Sequence, residues 1–104
     1  MELTSVHYST ERQTRRAFIQ EHIGEGNIID SFVVDRGHPS GAEIHSVTDT
    51  AIILIHNQRT NKLITELIAR PEQLRRLYRL ENREVPANIL SLAYKHNIAS
   101  YNTI

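Results

Sequence analysis

Residues 42–56, with the sequence AEIHSVTDTAIILIH, decide the fold of this chain. The segment Ala51–Ile55 is continuously apolar, which is typical of a strand buried on both faces. The preceding segment, Ala42–Thr48, is of mixed polarity and is separated from it only by Asp49 and Thr50. Because a parallel crossover needs about a dozen residues or more, the two strands must be antiparallel.

Further strands are predicted on both sides of this hairpin. Upstream, Ile28–Val34 is largely apolar and β-branched, and it runs into the turn-rich loop Arg36–Gly41. Downstream, Lys62–Ile68 alternates in part and follows the short connector Asn57–Asn61. The sequence therefore predicts an antiparallel meander of three or four strands, with residues 51–56 as its central strand.

Helices are predicted before and after the meander. Thr10 begins a capping-box spacing, and a helix at about 10–23 ends at Gly24, which suits a left-handed C-terminal cap. Pro71 fits the first turn of a second helix, and Pro86 opens a third. The fold class is therefore α+β: an N-terminal helix, a meander sheet and two C-terminal helices in a single domain of 104 residues.

The two central strands suggest a polar sheet face. If their loop holds two residues, Glu43 lies opposite His56, and His45 shares their face, while the other face packs on the helices. The next strand adds either Thr65 or Glu66 to this face, depending on the length of the connecting loop. A slip of one residue would exchange the faces and disperse the cluster.

A carboxylate, two imidazoles and a nearby arginine suit metal-free cleavage of RNA. One group takes the proton of the 2′-hydroxyl, a second protonates the leaving oxygen, and a cation binds the phosphate. The alternative interpretation is that His45 and His56 are half-exposed strand residues without a catalytic task. The short-spaced pairs Asp35/His38 and Glu43/His45 supply two metal ligands at most, so no metal and no cofactor are predicted.

The charges balance exactly in number but not in position. The chain has twelve Lys and Arg residues and twelve Asp and Glu residues, so its formal net charge is zero. A net charge of zero excludes indiscriminate binding of polyanions. Basic residues collect in the first helix and in residues 70–83, where a solvated helix face supported by ion pairs is the alternative to a binding surface. The arginines expected to bind nucleic acid or a protein partner are Arg12, Arg70, Arg75, Arg76 and Arg79.

The composition also bears on the compartment. The chain has no cysteine, which excludes a disulfide scaffold and thiol chemistry and is typical of a cytoplasmic protein. The longest apolar run, Ala51–Ile55, is far too short to cross a membrane. We therefore expect a cytoplasmic protein that does not interact with membranes.

Three runs of the sequence resemble small prophage proteins of Gram-positive bacteria: GHPSGAEIH (37–45), IILIHN (52–57) and TNKLITELIARP (60–71). A more distant likeness lies in His7 ahead of a helix with Arg12 and Arg16, followed by a meander ending in NKLIT (61–65). This arrangement, over about residues 5–80, resembles the barnase–EndoU–colicin–RelE group of metal-independent ribonucleases and toxins.

That resemblance implies a metal-independent endoribonuclease or an RNA-binding relative of one. In the group, catalytic groups come from a histidine near the first helix, one or two arginines, and a Thr, Tyr or His on the sheet. The matching positions are His7, Arg12 or Arg16, Thr65 and His45. Combined with the sheet face, the expected catalytic residues are His7, Arg16, Glu43, His45, His56 and Thr65.

Two other functions compete with RNA cleavage. A non-catalytic phage effector would use the arginine-rich second helix and the polar sheet face to occupy the acidic or nucleic-acid-binding site of a host protein, such as a defence nuclease or a replication factor. A homo-oligomeric module, for instance a homodimer, is suggested by the last helix and the partly apolar segment Tyr101–Ile104. The expected partner is therefore RNA, a host protein or a second copy.

Overall fold

The chain folds as an antiparallel sheet with helices on both faces. A computed structural model describes residues 13–103, and the side chains of residues 13–97. Among the described residues, helix α1 covers residues 13–22. The remaining elements are β1 (Ile28–Val34), β2 (Glu43–Thr48), β3 (Ile52–Asn57), β4 (Leu63–Ile68), α2 (Pro71–Arg79) and α3 (Ala87–Thr103).

The four strands form one sheet in the order β1-β2-β3-β4, and all three pairings are antiparallel. Each strand thus pairs with the next one along the chain, which is the predicted meander with four strands. The observed α+β layout of one helix, the sheet and two helices confirms the fold class expected from the sequence.

The loop between β2 and β3 has three residues rather than the predicted two. Ala51 adopts the left-handed conformation, with φ of 62°, and its N–H donates to the Thr48 carbonyl at 3.0 Å. The Thr48 hydroxyl accepts further bonds from the N–H groups of Thr50 and Ile52, at 3.3 and 3.2 Å. The two-residue loop was the wrong prediction, because Ala51 belongs to the turn and not to the strand.

This extra turn residue moves the β2–β3 pairing by one position. Glu43 pairs with Asn57, and His56 pairs with Ile44, so the predicted pairing of Glu43 with His56 is wrong. Directly opposed residues share a face and successive residues alternate. Glu43 and His45 therefore lie on one face of the sheet, and His56 lies on the other.

Both faces of the sheet are covered by helices, whereas the sequence pattern predicted one covered face. On the first, which we call the α1 face, Ile19 of α1 packs against Ile52 and Leu54. On the second, the α2–α3 face, Phe32 meets Tyr78 of α2 edge-on with ring centroids 4.8 Å apart. Strand β3 is apolar on both sides until His56, so it can support a core on each face.

The helix ends follow the signals in the sequence. Gly24 has φ of 84°, and its N–H donates to the Ile19 carbonyl at 2.7 Å, which confirms it as the left-handed cap of α1. Pro71 is the first residue of α2. The Pro86 carbonyl accepts the first helical hydrogen bonds of α3. The predicted capping box at Thr10 lies outside the described residues.

Candidate functional site

A buried carboxyl group lies between the sheet and α1. Glu66 of β4 pairs with Leu54, and its side chain is only 2% exposed. Neither carboxyl oxygen has a hydrogen-bond partner of good geometry among the described residues, although the Glu25 side chain lies near enough to contribute hydrogen bonding to the raised pKa. Burial raises the pKa of Glu66, the nearby charge of Glu25 raises it further, and Arg16 opposes the shift.

Two consecutive arginines of α1 reach two consecutive residues of β4. Arg16 Nε lies 3.4 Å from Glu66 Oε1, in an ion pair without hydrogen-bond geometry. Arg15 Nη2 donates to Thr65 Oγ1 at 2.9 Å. The register of β4 shifts beside Thr65, between the pairs made by Ile55 and His56. Two guanidinium groups are thereby held over a short segment of β4.

The packing of α1 explains why these arginines point toward β4. Ile19 is fully buried against Ile52 and Leu54 and fixes the helix to the sheet. Arg15 and Arg16 precede Ile19 by four and three residues, so they lie on the same side of the helix, one turn earlier. The same hydrophobic contact therefore docks the helix and positions both cations.

His56 is the histidine of the sheet that lies on the same face as Glu66. Leu54 pairs with Glu66, and His56 follows Leu54 by two residues on the same α1 face. The register shift between Ile55 and His56 separates His56 from the regular part of the β3–β4 pairing, so His56 shares the face of Glu66 but lies beyond this irregularity. The half-buried ring is thus on the same face as Glu66. We call the following residues the α1–β4 site: Arg15, Arg16, His56, Thr65 and Glu66. Thr65 pairs with Ile55 and so belongs to the other face of β4, and Arg15 reaches its hydroxyl at the edge of the sheet that β4 forms.

The two other members of the predicted histidine cluster lie on the opposite face. His45 Nε2 is 3.0 Å from Glu43 Oε1. The His45 side chain is 4% exposed, and that of Glu43 is 32% exposed. His45 lies between Phe32 and Ile55 in the sheet, on the α2–α3 face. The structure therefore brings Glu43 and His45 together but separates both from His56.

The remaining predicted residues divide into those in the α1–β4 site and those outside the described residues. Arg16 pairs with Glu66, and Thr65 accepts a hydrogen bond from Arg15, while His7 and Arg12 lie outside the described residues. Of the two alternatives on β4, it is Glu66 that joins the face of His56. Sequence reasoning missed Arg15, although its spacing from Ile19 is visible in the sequence.

The arginines in and next to α2 form a second basic region, of which only a part lines a cavity. A cavity of about 510 Å³ lies between α2 and the start of α3. Arg75 and Arg79 line it, whereas Arg70 and Arg76 are exposed elsewhere on the surface. The complete lining consists of Arg75, Arg79, Asn82, Arg83, Glu84, Val85 and Leu90.

Within residues 13–103, no helix has both the length and the apolar composition needed to cross a membrane. No group of three or more His, Asp or Glu side chains in the described part of the chain is arranged to hold a metal ion.

Comparisons with protein-family models, with curated proteins and with solved structures find no significant match to this chain.

Proposed function

We propose that this protein is a metal-independent endoribonuclease whose reaction takes place at the α1–β4 site. The observation that carries the proposal is the buried Glu66 carboxyl, whose pKa is raised and whose only ion-pair partner among the described residues is Arg16. A perturbed carboxyl beside convergent cations is characteristic of functional sites, because burying it costs stability that packing alone does not require.

The arginines supply the binding of phosphate. The Arg16 side chain is 58% exposed, so its guanidinium can reach a ligand while Nε faces Glu66. Arg15 lies next to it with one nitrogen committed to Thr65. Guanidinium groups bind phosphate oxygens in a planar, bidentate manner. Glu66, at 2% exposure, does not touch RNA and acts as a positioning residue for Arg16.

His56 is the proton-transfer group of the proposed reaction. Its neutral imidazole accepts the proton of a ribose 2′-hydroxyl, and the 2′-oxygen attacks the adjacent phosphorus. The bond from phosphorus to the 5′-oxygen breaks, that oxygen takes a proton from solvent water on the far side of the phosphorus, and the imidazolium releases its proton to solvent. The products are a 2′,3′-cyclic phosphate and a free 5′-hydroxyl, while Arg15 and Arg16 stabilise the charge on the phosphoryl oxygens.

The test is cleavage of a labelled RNA by the purified chain, with and without a chelator, and analysis of the product ends. Arg16→Ala and His56→Ala should each lower the rate about a hundredfold or more. Arg36→Ala removes an arginine from the exposed loop after β1 and serves as the matched control, with an unchanged rate. Glu66→Gln should raise KM more than it lowers kcat, since it only releases Arg16.

Three results would overturn the proposal. One is RNA that remains intact in the presence of the wild-type chain. Another is cleavage that persists unchanged in both Arg16→Ala and His56→Ala. The third is a loss confined to His45→Gln, which would transfer the reaction to the Glu43–His45 pair on the α2–α3 face.

A further inference from the structure

The cavity between α2 and α3 combines charge with apolar surface. It is an open groove with a volume of about 510 Å³, in which five of the seven lining residues are exposed. It lies beside the two helices that cover the α2–α3 face, so the sheet separates it from the α1–β4 site. An inference about this cavity therefore does not rest on the proposed cleavage of RNA.

Two of its arginines have no carboxylate partner among the described residues. Arg75 and Arg79 are one helical turn apart, where like charges repel each other. Arg75 is held in place by Tyr94 of α3, whose hydroxyl accepts from Arg75 Nη2 at 3.0 Å and whose ring lies 5.9 Å from the guanidinium carbon. An anion placed between the two guanidinium groups would relieve their repulsion.

The third arginine is already neutralised. Arg83 donates to Asp30 at 2.9 Å and to Glu81 at 3.2 Å, and it stacks over the Tyr78 ring at 5.1 Å. It therefore forms a fixed wall of the cavity and contributes little free charge. The free positive charge is concentrated at Arg75 and Arg79.

The rest of the lining consists of two apolar side chains, one amide and the Glu84 carboxylate, which suits a flat, partly polar group placed beside the phosphate. Val85 and Leu90 are half-buried and present an apolar wall. Asn82, held in the left-handed conformation with φ of 53°, offers an amide that can both donate and accept hydrogen bonds. A free inorganic anion would leave the apolar wall unused, whereas a nucleobase attached to a phosphate would use both parts.

We propose that this cavity binds a nucleoside phosphate. The phosphate is bound by Arg75 and Arg79, the base packs against Val85 and Leu90, and Asn82 contacts the edge of the base. The ligand is either a free nucleotide or one nucleotide unit of single-stranded RNA, which present the same chemistry to the cavity.

The experiment measures binding to the whole chain with three probes: AMP, inorganic phosphate and a fluorescent single-stranded RNA of eight nucleotides. Arg75→Ala and Arg79→Ala should each weaken the binding of AMP about tenfold or more, the loss expected for one charge-assisted hydrogen bond. Arg36→Ala is the charge-matched control and should leave AMP binding unchanged. Because no cleavage is measured, failure here is distinct from failure of the endoribonuclease.

Each outcome decides the matter. Competition between AMP and the RNA, lost in Arg75→Ala, supports a subsite for RNA, and AMP binding without competition supports a free nucleotide. Phosphate that binds as tightly as AMP would overturn the role of the apolar wall. Equal losses in Arg76→Ala and Arg75→Ala would assign binding to the helix surface at large, and no binding of AMP would favour an acidic protein partner instead.

Discussion

Replacing Glu66 by glutamine tests the most unusual feature of the structure, a buried carboxyl that lies near one exposed arginine and a second carboxyl, that of Glu25. The change keeps the shape of the side chain and removes its ionisable proton. If burial makes the ionised carboxylate costly, the Glu66→Gln variant should be more stable than the wild type at neutral and alkaline pH. This result would be unusual, since most substitutions of buried residues destabilise.

The magnitude follows from the opposing contributions at Glu66. Leaving a buried polar group without a hydrogen bond costs about 1–3 kcal/mol, and more when the group is charged. The ion pair with Arg16 returns at most about 1 kcal/mol, because that arginine is 58% exposed and screened by water. The amide of glutamine is itself left without a partner, so we expect a net gain of about 1 kcal/mol, or about 4–8 °C in Tm.

The sign of the pH dependence is fixed by the direction of the pKa shift. The pKa of Glu66 is raised in the folded state above its ordinary value of 4.5. Between 4.5 and the folded pKa, the native state binds more protons than the unfolded state, so stability falls as the pH rises. Below 4.5 both states are protonated. The advantage of Glu66→Gln should therefore be full above the folded pKa and should disappear toward pH 4.

The assay is thermal and urea denaturation of both proteins between pH 4 and pH 8. Glu72→Gln provides the matched control, since it makes the same chemical change at an exposed position in the first turn of α2. It should cost about 0.3–1 kcal/mol through loss of a favourable charge near the helix N-terminus. A Glu66→Gln variant that is less stable than wild type at pH 8, or equally favoured at pH 4, would refute the reasoning.

Three further predictions concern the scaffold. Tyr78→Phe removes the hydroxyl that donates to the Asp30 carboxylate at 2.5 Å. The free energy of unfolding, measured in urea, should fall by about 1.5–3 kcal/mol. A neutral effect would show that this hydrogen bond contributes nothing to stability. Gly26→Ala should lower the free energy of unfolding by at least about 1 kcal/mol more than Gly37→Ala. Both glycines have positive φ, but only the new Cβ at position 26 meets side chains of the β2–β3 loop. Equal losses of stability in the two variants would contradict this. Burial lowers the pKa of His96 from 6.5, so the contribution of His96 to stability is present above pH 6.5 and is lost as the pH falls through the folded pKa. His96→Gln should therefore flatten the fall in Tm between pH 7 and pH 5. An unchanged slope would exclude this role.

The order and type of the elements could be predicted because each has a local cause. The cap at Gly24 and the helix start at Pro71 depend only on nearby backbone conformation. The antiparallel meander follows from connectors too short for a parallel crossover. Such signals act within a few residues, so the sequence contains them directly.

The register of the central hairpin could not be predicted, because it depends on one turn residue. Alanine rarely adopts positive φ, and nothing in the segment Asp49–Thr50 marks Ala51 as the residue that will do so. Its side chain is fully buried, and its carbonyl accepts from the N–H of Ala69 at 3.0 Å. These long-range contacts stabilise the three-residue loop, and they are visible only once the sheet is formed.

The candidate site depended on this same residue. With two residues in the loop, Glu43 would face His56 and a polar sheet face would result. With three, Glu43 and His45 lie on the α2–α3 face, and Glu66 is left as the carboxyl on the face of His56. A glutamate within the otherwise largely apolar strand Leu63–Ile68 was the signal that could have identified this site from the sequence.

The position of the arginines gives the zero net charge a structural meaning. Arg15 and Arg16 lie on the α1 face, whereas Arg75 and Arg79 belong to the helices of the other face, with the sheet between them. The electrostatic attraction that each arginine pair exerts is confined to its own small region. The acidic residues distributed elsewhere cancel the long-range field of both pairs. An anion is therefore attracted only at short range, and the shape of each site must supply the selectivity that net charge does not.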